Sequence, residues 1–198
     1  MTQLLEATFA VAYENSIAGA DPLAENRTLL QTLAIYVNNE DIAKLIGADA
    51  ASDLPTARFV EVRLLRRQDL AQHVASVAAI TASLGPELAA LLSTTKETYD
   101  ARYRSGFSFS DLTANSVGVA IASRAMQDRD SAIEMQKRLS ELKAESDFMP
   151  EVGNNRDGLS ESTFNAIYAD SSSTEYIQRM NEIRDAIEAK PIFKDLLK

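Results

Sequence analysis

The chain has 198 residues, 45% of them hydrophobic and 25% charged, the balance of an ordinary globular protein with one fair-sized core. Its formal charge of −9 argues against a protein that wraps nucleic acid or lies on an anionic membrane, since both need clustered Lys and Arg to replace counterions. With no Cys there is no disulfide, thiolate nucleophile or Cys-type zinc site.

The opening MTQLLEATFAVAY lacks a basic start and carries Glu6 in its apolar run, so it does not read as a signal peptide. Residues 1–24 are taken as an N-terminal extension of a single helical domain spanning 1–198. ENRTLLQTLAIYV at 25–37 and EDIAKLI at 40–46 read as helices broken at Asn38 and Asn39, where Asn tolerates the left-handed turn that ends a helix. Gly47 closes the second, and a loop over 48–57 follows. In RFVEVRLL, Val60, Val62 and Leu64 alternate with Glu61 and Arg63, the period of a half-buried strand. The spacing predicts a helix over 67–84 with His73, Val77, Ile80 and Leu84 on one face. Its apolar stretch, 74–84, is about half a bilayer span, which suits a buried helix.

Gly85 stops that helix and Pro86 opens the next, 86–102, giving a helical hairpin. Ser108 to Asp111 has the form of a capping box for a helix over 111–126. Ser131 to Glu134 opens another to about residue 145, with Met135, Leu139 and Leu142 at helical spacing and Glu134–Arg138 as an exposed pair. A Gly/Asn/Pro-containing loop over 147–162 reads as a surface lid or a disordered segment. A last helix, capped from Ser172 to Glu175, carries Tyr176, Met180, Ile183 and Ile187 as an apolar stripe and ends at Pro191. The fold class expected is mainly α, a single-domain bundle with at most a small β element.

Chemistry concentrates in KETYDARYRSGFSFSDLTANSVG, 96–118, and in His73, the chain's one histidine. Glu97 and Asp100 project from nearly one helix face. Asp111 and Asn115 share the next, with Gly118 and Ala122 leaving room for close contact. If the hairpin packs on helix 111–126, His73, Glu97, Asp100 and Asp111 converge. One imidazole with two or three carboxylates suits a divalent metal such as zinc, manganese or iron, and an open coordination position would activate water. His73, Glu97 and Asp100 are then the catalytic candidates. The other reading is structural: a hydrogen-bonded core histidine, an Asp111 favoured by the helix dipole, and a salt-bridge network of Lys96, Glu97, Asp100, Arg102 and Arg104. Gly106 permits the bend between helices, Phe107 and Phe109 wedge into the core, and Met126, Met135 and Met180 fill it.

Four stretches, ENRTLLQTLAIYVN at 25–38, LLRRQDLAQHV at 64–74, KETYDARYRSGFSFSDLTAN at 96–115 with Gly118, and DFMPEV at 147–152, resemble a family of uncharacterised bacterial proteins that often carry an N-terminal export or anchor segment. The shorter pattern, a His helix followed by KE-x-x-D and then D-L-x-A, is similar to YfiM-like lipoproteins and more distantly to VanZ-like envelope proteins. The resemblance implies that His73, Lys96, Glu97, Asp100, Arg102, Ser105, Gly106, Ser108 and Asp111 are the pattern positions, and that the protein works in the periplasm or cell envelope, the cytoplasm being the alternative. It implies no activity. Family members carry an aromatic where Val74 stands and an aspartate where Asn115 stands, and the second departure removes an acid from a four-carboxylate site. Two functional classes stay open. One is a binding or scaffolding module with a structural cluster that includes Lys96, Arg102, Ser105, Ser108 and Asn115. The other is a metal-assisted hydrolase with His73, Glu97, Asp100 and Asp111 as ligands. The partner expected is a protein or a small molecule, with no nucleic acid and no membrane span in this chain, and the natural gene is expected to encode an export or anchor segment ahead of it.

Overall fold

The computed structural model describes residues 1–55, 57–103, 106–153 and 155–194, and all their side chains except those of Tyr99, Arg102 and Tyr103. It is a mainly α bundle, and no strand occurs among the described residues. The helices are α1 (Thr2–Ile17), α2 (Pro22–Val37), the short α3 (Ala43–Ile46) and α4 (Ala48–Ser52), α5 (Gln68–Leu84), α6 (Pro86–Tyr103), α7 (Phe109–Ala125), α8 (Arg129–Ser140), α9 (Glu161–Tyr168) and α10 (Thr174–Glu188).

At the centre α5 lies against α7, flanked by α2 on one side and α6 on the other, while α1 packs on α8 and α2. The central pair meets through small residues. Ala71, Ala75, Ala78 and Ala82 of α5 and Ala114, Ala122 and Ala125 of α7 are buried, and Gly118 lets the two backbones touch. Bulk comes from Leu70, Leu112, Val117 and Ile121, and from Leu5 and Phe9 of α1. Residues 1–24, read as an extension, therefore supply part of the core. One buried polar link ties the outer helices in: Asn26 of α2 donates to the Ala125 carbonyl at 2.8 Å and accepts from Gln136 of α8 at 2.9 Å. The pair satisfies both amide nitrogens where water cannot reach, while Gln136 Oε1 stays without a partner.

The helix starts follow capping chemistry. Asp21 accepts from the Leu23 N–H ahead of Pro22, and Ser108, Ser160 and Ser173 cap α7, α9 and α10 through their hydroxyls. Asn39 has φ 54 and Gly85 φ 92, as expected where α2 and α5 end. Helix α8 begins earlier than predicted because Asp128, not Ser131, is the cap: its carboxylate accepts from the Ser131 N–H at 2.8 Å. It ends at Ser140, and a 3-10 turn over Glu145–Asp147 follows.

Further expectations differ from the structure. The alternating run 58–65 forms no strand; Phe59 and Val60 are exposed, with no partner strand beside them. The alternation instead buries Val62 and Leu64, and Leu64 and Arg67 exchange two backbone hydrogen bonds across a tight turn whose inner residues, Leu65 and Arg66, have φ 50 and 66. On α5 the buried face is Leu70, Val74, Val77, Ala78 and Thr81, whereas Leu84 is 60% exposed, so His73 sits at the edge of the apolar stripe. Over 147–162 the chain is a loop up to the start of α9, and where described it packs onto the core. It buries Phe148 and Met149, and Phe107 and Leu159 pair by backbone bonds of 2.7 and 3.0 Å. Gly106 backs onto Gly158 there, and a β-carbon on Gly106 would meet the Gly158 backbone at 2.5 Å. The loop expected over 48–57 contains α4, and α9 was not foreseen.

Candidate functional site

The site lies where α5, α6 and α7 meet. His73 comes from the second turn of α5, Lys96, Glu97 and Asp100 from the last turns of α6, and Asp111 and Asn115 from the first turns of α7. The α5–α7 crossing at Gly118 brings His73 over α7, where its Nε2 is 3.3 Å from Asp111 Oδ2 and its Nδ1 donates to Asn115 Oδ1 at 2.8 Å. Ligand atoms of His73, Glu97 and Asp111 all lie within 4.8 Å of one another. Asp100 does not join this group. It stands almost one turn beyond Glu97, and its carboxylate is held by Lys96 Nζ at 2.8 Å.

The charges are interlocked. Lys96 also reaches Glu97 Oε1 at 3.3 Å, and the second Glu97 oxygen accepts from the Ser108 N–H. Arg67, at the start of α5, serves three carboxylates: Asp69 at 2.6 Å, Asp111 at 3.1 Å and Asp157 at 3.1 Å. Asp157 in turn accepts from the Ser108 hydroxyl and the Ser110 N–H. Ser108 thus caps α7 and links it to the 157 segment. Below this layer lies an aromatic cluster. Phe107 lies tilted 4.5 Å from Phe164 and meets Phe109 edge-on at 5.1 Å, with Tyr168 and Tyr176 completing the cluster.

Proton affinities follow from these contacts. Burial pushes the Glu97 carboxyl upward, Lys96 opposes this, and the neighbouring Asp111 charge adds to the rise. Glu97 is only 1% exposed. At His73 burial disfavours the charged ring, but Asp111 and Asn115 both accept from imidazolium and outweigh it, so its pKa lies above the ordinary value. Lys96 is raised as well, burial being outweighed by Asp100 and Glu97. Asp157 is lowered: hydrogen bonds from Ser110 and Ser108 and the Arg67 charge overcome its burial. Asp69 is lowered chiefly by Arg67.

Sequence reasoning gathers His73, Glu97, Asp111, Lys96, Ser108 and Asn115 in one place. Ser105 and Arg104 lie outside the described residues, as does the Arg102 side chain, so the salt-bridge network reading extends here only to Lys96, Glu97 and Asp100. Sequence reasoning misses Arg67, Asp69 and Asp157. The Arg-x-Asp spacing at 67–69 was the available hint for the first two. For Asp157, 90 residues from Arg67, the sequence holds no local signal. A cleft of about 370 Å³ opens beside His73, lined by Asp69, Lys96 and Asn115 among others. No family model, curated protein or solved structure matches this chain.

Proposed function

We propose that this chain is a binding or scaffolding module of the bacterial envelope, with a polar cluster that is structural at its base and faces a ligand cleft at its edge. One observation carries the reading: each carboxylate of the cluster already has a cationic or N–H partner. Asp111 has Arg67 and His73, Glu97 has Lys96 and the Ser108 N–H, and Asp157 has Arg67 and Ser110. A network in which every carboxylate is held by a cation or an N–H ties three helix ends together. The resemblance to exported bacterial proteins supports the envelope assignment. Thermal melts with EDTA, then with added zinc or manganese, test the reading. Melting temperature is expected to be unchanged throughout, and a chelator-dependent drop would contradict it. Fractionating cells that express the natural gene tests the location, and recovery only from the cytosol without N-terminal processing would remove the envelope assignment.

A second reading, a metal-assisted hydrolase, is favoured by one specific feature. The ligand atoms of His73, Glu97 and Asp111 lie within 4.8 Å of one another, and His73 Nδ1 is anchored on Asn115 as metal-binding imidazoles are anchored. In that reading Arg67 orients Asp111, and Lys96 gives up Glu97 to the ion.

A further inference from the structure

The hairpin of α1 and α2 is apolar on two sides. Leu5 and Phe9 of α1 and Leu30 and Val37 of α2 are buried in the core, while a second set lines an open groove of about 480 Å³ between the two helices. From α1 this set is Leu4, Ala7, Thr8 and Val11, and from α2 it includes Leu29, Thr32 and Tyr36. These are the spacings by which one helix packs on another, yet Val11 is 57% exposed. The groove asks for apolar contact: the Thr8 and Thr32 hydroxyls donate to the Leu4 and Thr28 carbonyls of their own helices at 2.7 and 2.8 Å. Its α2 wall, from Glu25 to Tyr36, is about 16 Å long at 1.5 Å per residue, or three turns of a helix laid along it. Thr32 and Tyr36 also wall a second hollow of about 410 Å³, closed by Ile42 and Leu54 from the α3–α4 segment. That segment adds apolar surface without a core: neither α3 nor α4 buries a residue, and Leu45, Ile46 and Leu54 are exposed. The charged residues on the two linings are Glu25 at one end and Glu40 and Asp41 at the other, with no Lys or Arg among the lining residues. Residues 1–55 hold eight acidic side chains and two basic ones, −6 of the chain's −9. Of the two cations, Arg27 donates to the Ala82 carbonyl of α5 and Lys44 pairs with Glu40. The next cation along the chain, Arg58, follows Ala57 at the edge of the second hollow.

We infer that this groove seats a basic amphipathic helix of a partner protein, its apolar stripe between α1 and α2 and its Lys and Arg flanks over Glu25, Glu40 and Asp41. Apolar anchors at i, i+3, i+4 and i+7 supply contact in such a groove, and opposite charge on the rims selects the partner and speeds encounter. A second copy bound through the same face would set acid against acid, and an anionic bilayer would meet the same repulsion. Nor can α8, the helix with Lys137 and Arg138, be the occupant, since its Met135 and Leu139 are buried in the core. The inference rests on the binding-module reading and names a partner for it, but the groove shares no residue with the His73 cleft.

The test is a set of three labelled peptides of about four helical turns, titrated with the full chain by fluorescence anisotropy at low and at physiological salt. One places Leu at i, i+3, i+4 and i+7 with Lys elsewhere, the second replaces every Lys by Glu, and the third scrambles the order of the first. Saturable one-to-one binding is expected for the Leu/Lys helix, falling as salt rises, with the other two weaker by about tenfold or more. Val11→Lys should weaken the Leu/Lys helix by about tenfold, the scale of an anchoring interface residue, whereas Leu91→Lys, on the exposed side of α6, should leave it unchanged. Glu25→Gln combined with Glu40→Gln should flatten the salt dependence, and this pair decides if a thermal melt shows that Val11→Lys does not fold. No saturable binding of the Leu/Lys helix, equal binding of the Glu or scrambled peptide, or a loss caused by Leu91→Lys and not by Val11→Lys would overturn the inference. So would a dimer of the unliganded chain in sedimentation that Val11→Lys abolishes, since a second copy would then cover the groove. Metal at His73 leaves the peptide result untouched, and failure of the peptides leaves the EDTA melts to judge the cluster alone.

Discussion

Gly118 of α7 rests against the carbonyl of Val74 on α5, and a β-carbon there would sit 2.6 Å from that oxygen and 3.0 Å from the Ala78 nitrogen. Both neighbours are helix backbone, which cannot swing aside as a side chain can. Gly118→Ala should therefore destabilise the fold by about 1–3 kcal/mol, the usual cost of overpacking, read as a lower urea midpoint at constant m. It should also move His73 away from Asn115, visible as a shift of the imidazole resonances. An unchanged midpoint would mean that the crossing is looser than described.

Arg67 and Lys96 are both cations of the cluster but should not matter equally. Arg67 holds three carboxylates, two of them from other segments, with about a third of its side chain exposed, whereas half of Lys96 is exposed and its partners sit on its own helix. Arg67→Met should cost about 1–2 kcal/mol after allowance for solvent screening, and Lys96→Met less than about 1 kcal/mol. Denaturant titration of the two variants gives the order, and a reversed order would rule out Arg67 as the hub.

The pH dependence of stability has a definite sign. Burial opposes the His73 proton, but Asp111 and Asn115 outweigh it and raise the pKa above 6.5. Burial, against Lys96 and with Asp111, raises Glu97 above 4.5. A raised pKa means that the native state holds the proton more tightly than the unfolded chain. Each group therefore adds stability that is complete below its unfolded value and disappears as pH rises through its folded one. Melting temperature should decline as pH rises from about 4.5 to beyond 6.5, the ordinary values at which the two windows open, and His73→Gln should remove the upper part. Asp69 and Asp157, both depressed below 3.8, act oppositely, and their contribution is lost as pH falls beneath that value. A melting temperature that climbs steadily from pH 5 to 8 would refute the assignment.

Asn26 and Gln136, both fully buried, offer a check far from the site. Asn26→Leu strips the Ala125 carbonyl of its side-chain donor and leaves the Gln136 amide only the longer bond to the Pro22 carbonyl, and should cost about 1–3 kcal/mol. Adding Gln136→Leu should recover part of that loss, because an apolar pair leaves fewer orphaned groups. A double variant no better than the single would argue against this coupling.

Much of this was legible from short-range patterns. Ser108 capping α7, the left-handed Asn39, the Gly85–Pro86 hairpin and the Tyr176–Ile187 stripe are decided within a few residues, where propensity and capping operate. The meeting of His73, Glu97 and Asp111 followed from sequential helices packing side by side. The failures were non-local. Val60, Val62 and Leu64 alternate as a strand would, but a strand exists only with a partner, and the positive φ values of Leu65 and Arg66 turn the chain into a helix instead. Asp157 joins Arg67 across 90 residues, a pairing no local rule anticipates. Asp100 shares a helix face with Glu97 at low resolution, yet three residues of rotation and rise hand it to Lys96.

The pairing of Phe107 with Leu159, with Gly106 backed against Gly158, bears on how the protein is made. While a ribosome is still adding residues beyond 120, α5, α6 and α7 can already associate, but Arg67 and the Ser108 and Ser110 groups lack the carboxylate of Asp157, and Phe107 and Phe109 lack the cover of α9 and α10. The polar centre is thus closed late in synthesis by a contact that spans more than fifty residues, and long-range closure of this kind is slow compared with helix formation. Nascent chains should accordingly be cut by protease around 106–108 until the 157–159 segment emerges and docks, and resist it afterwards.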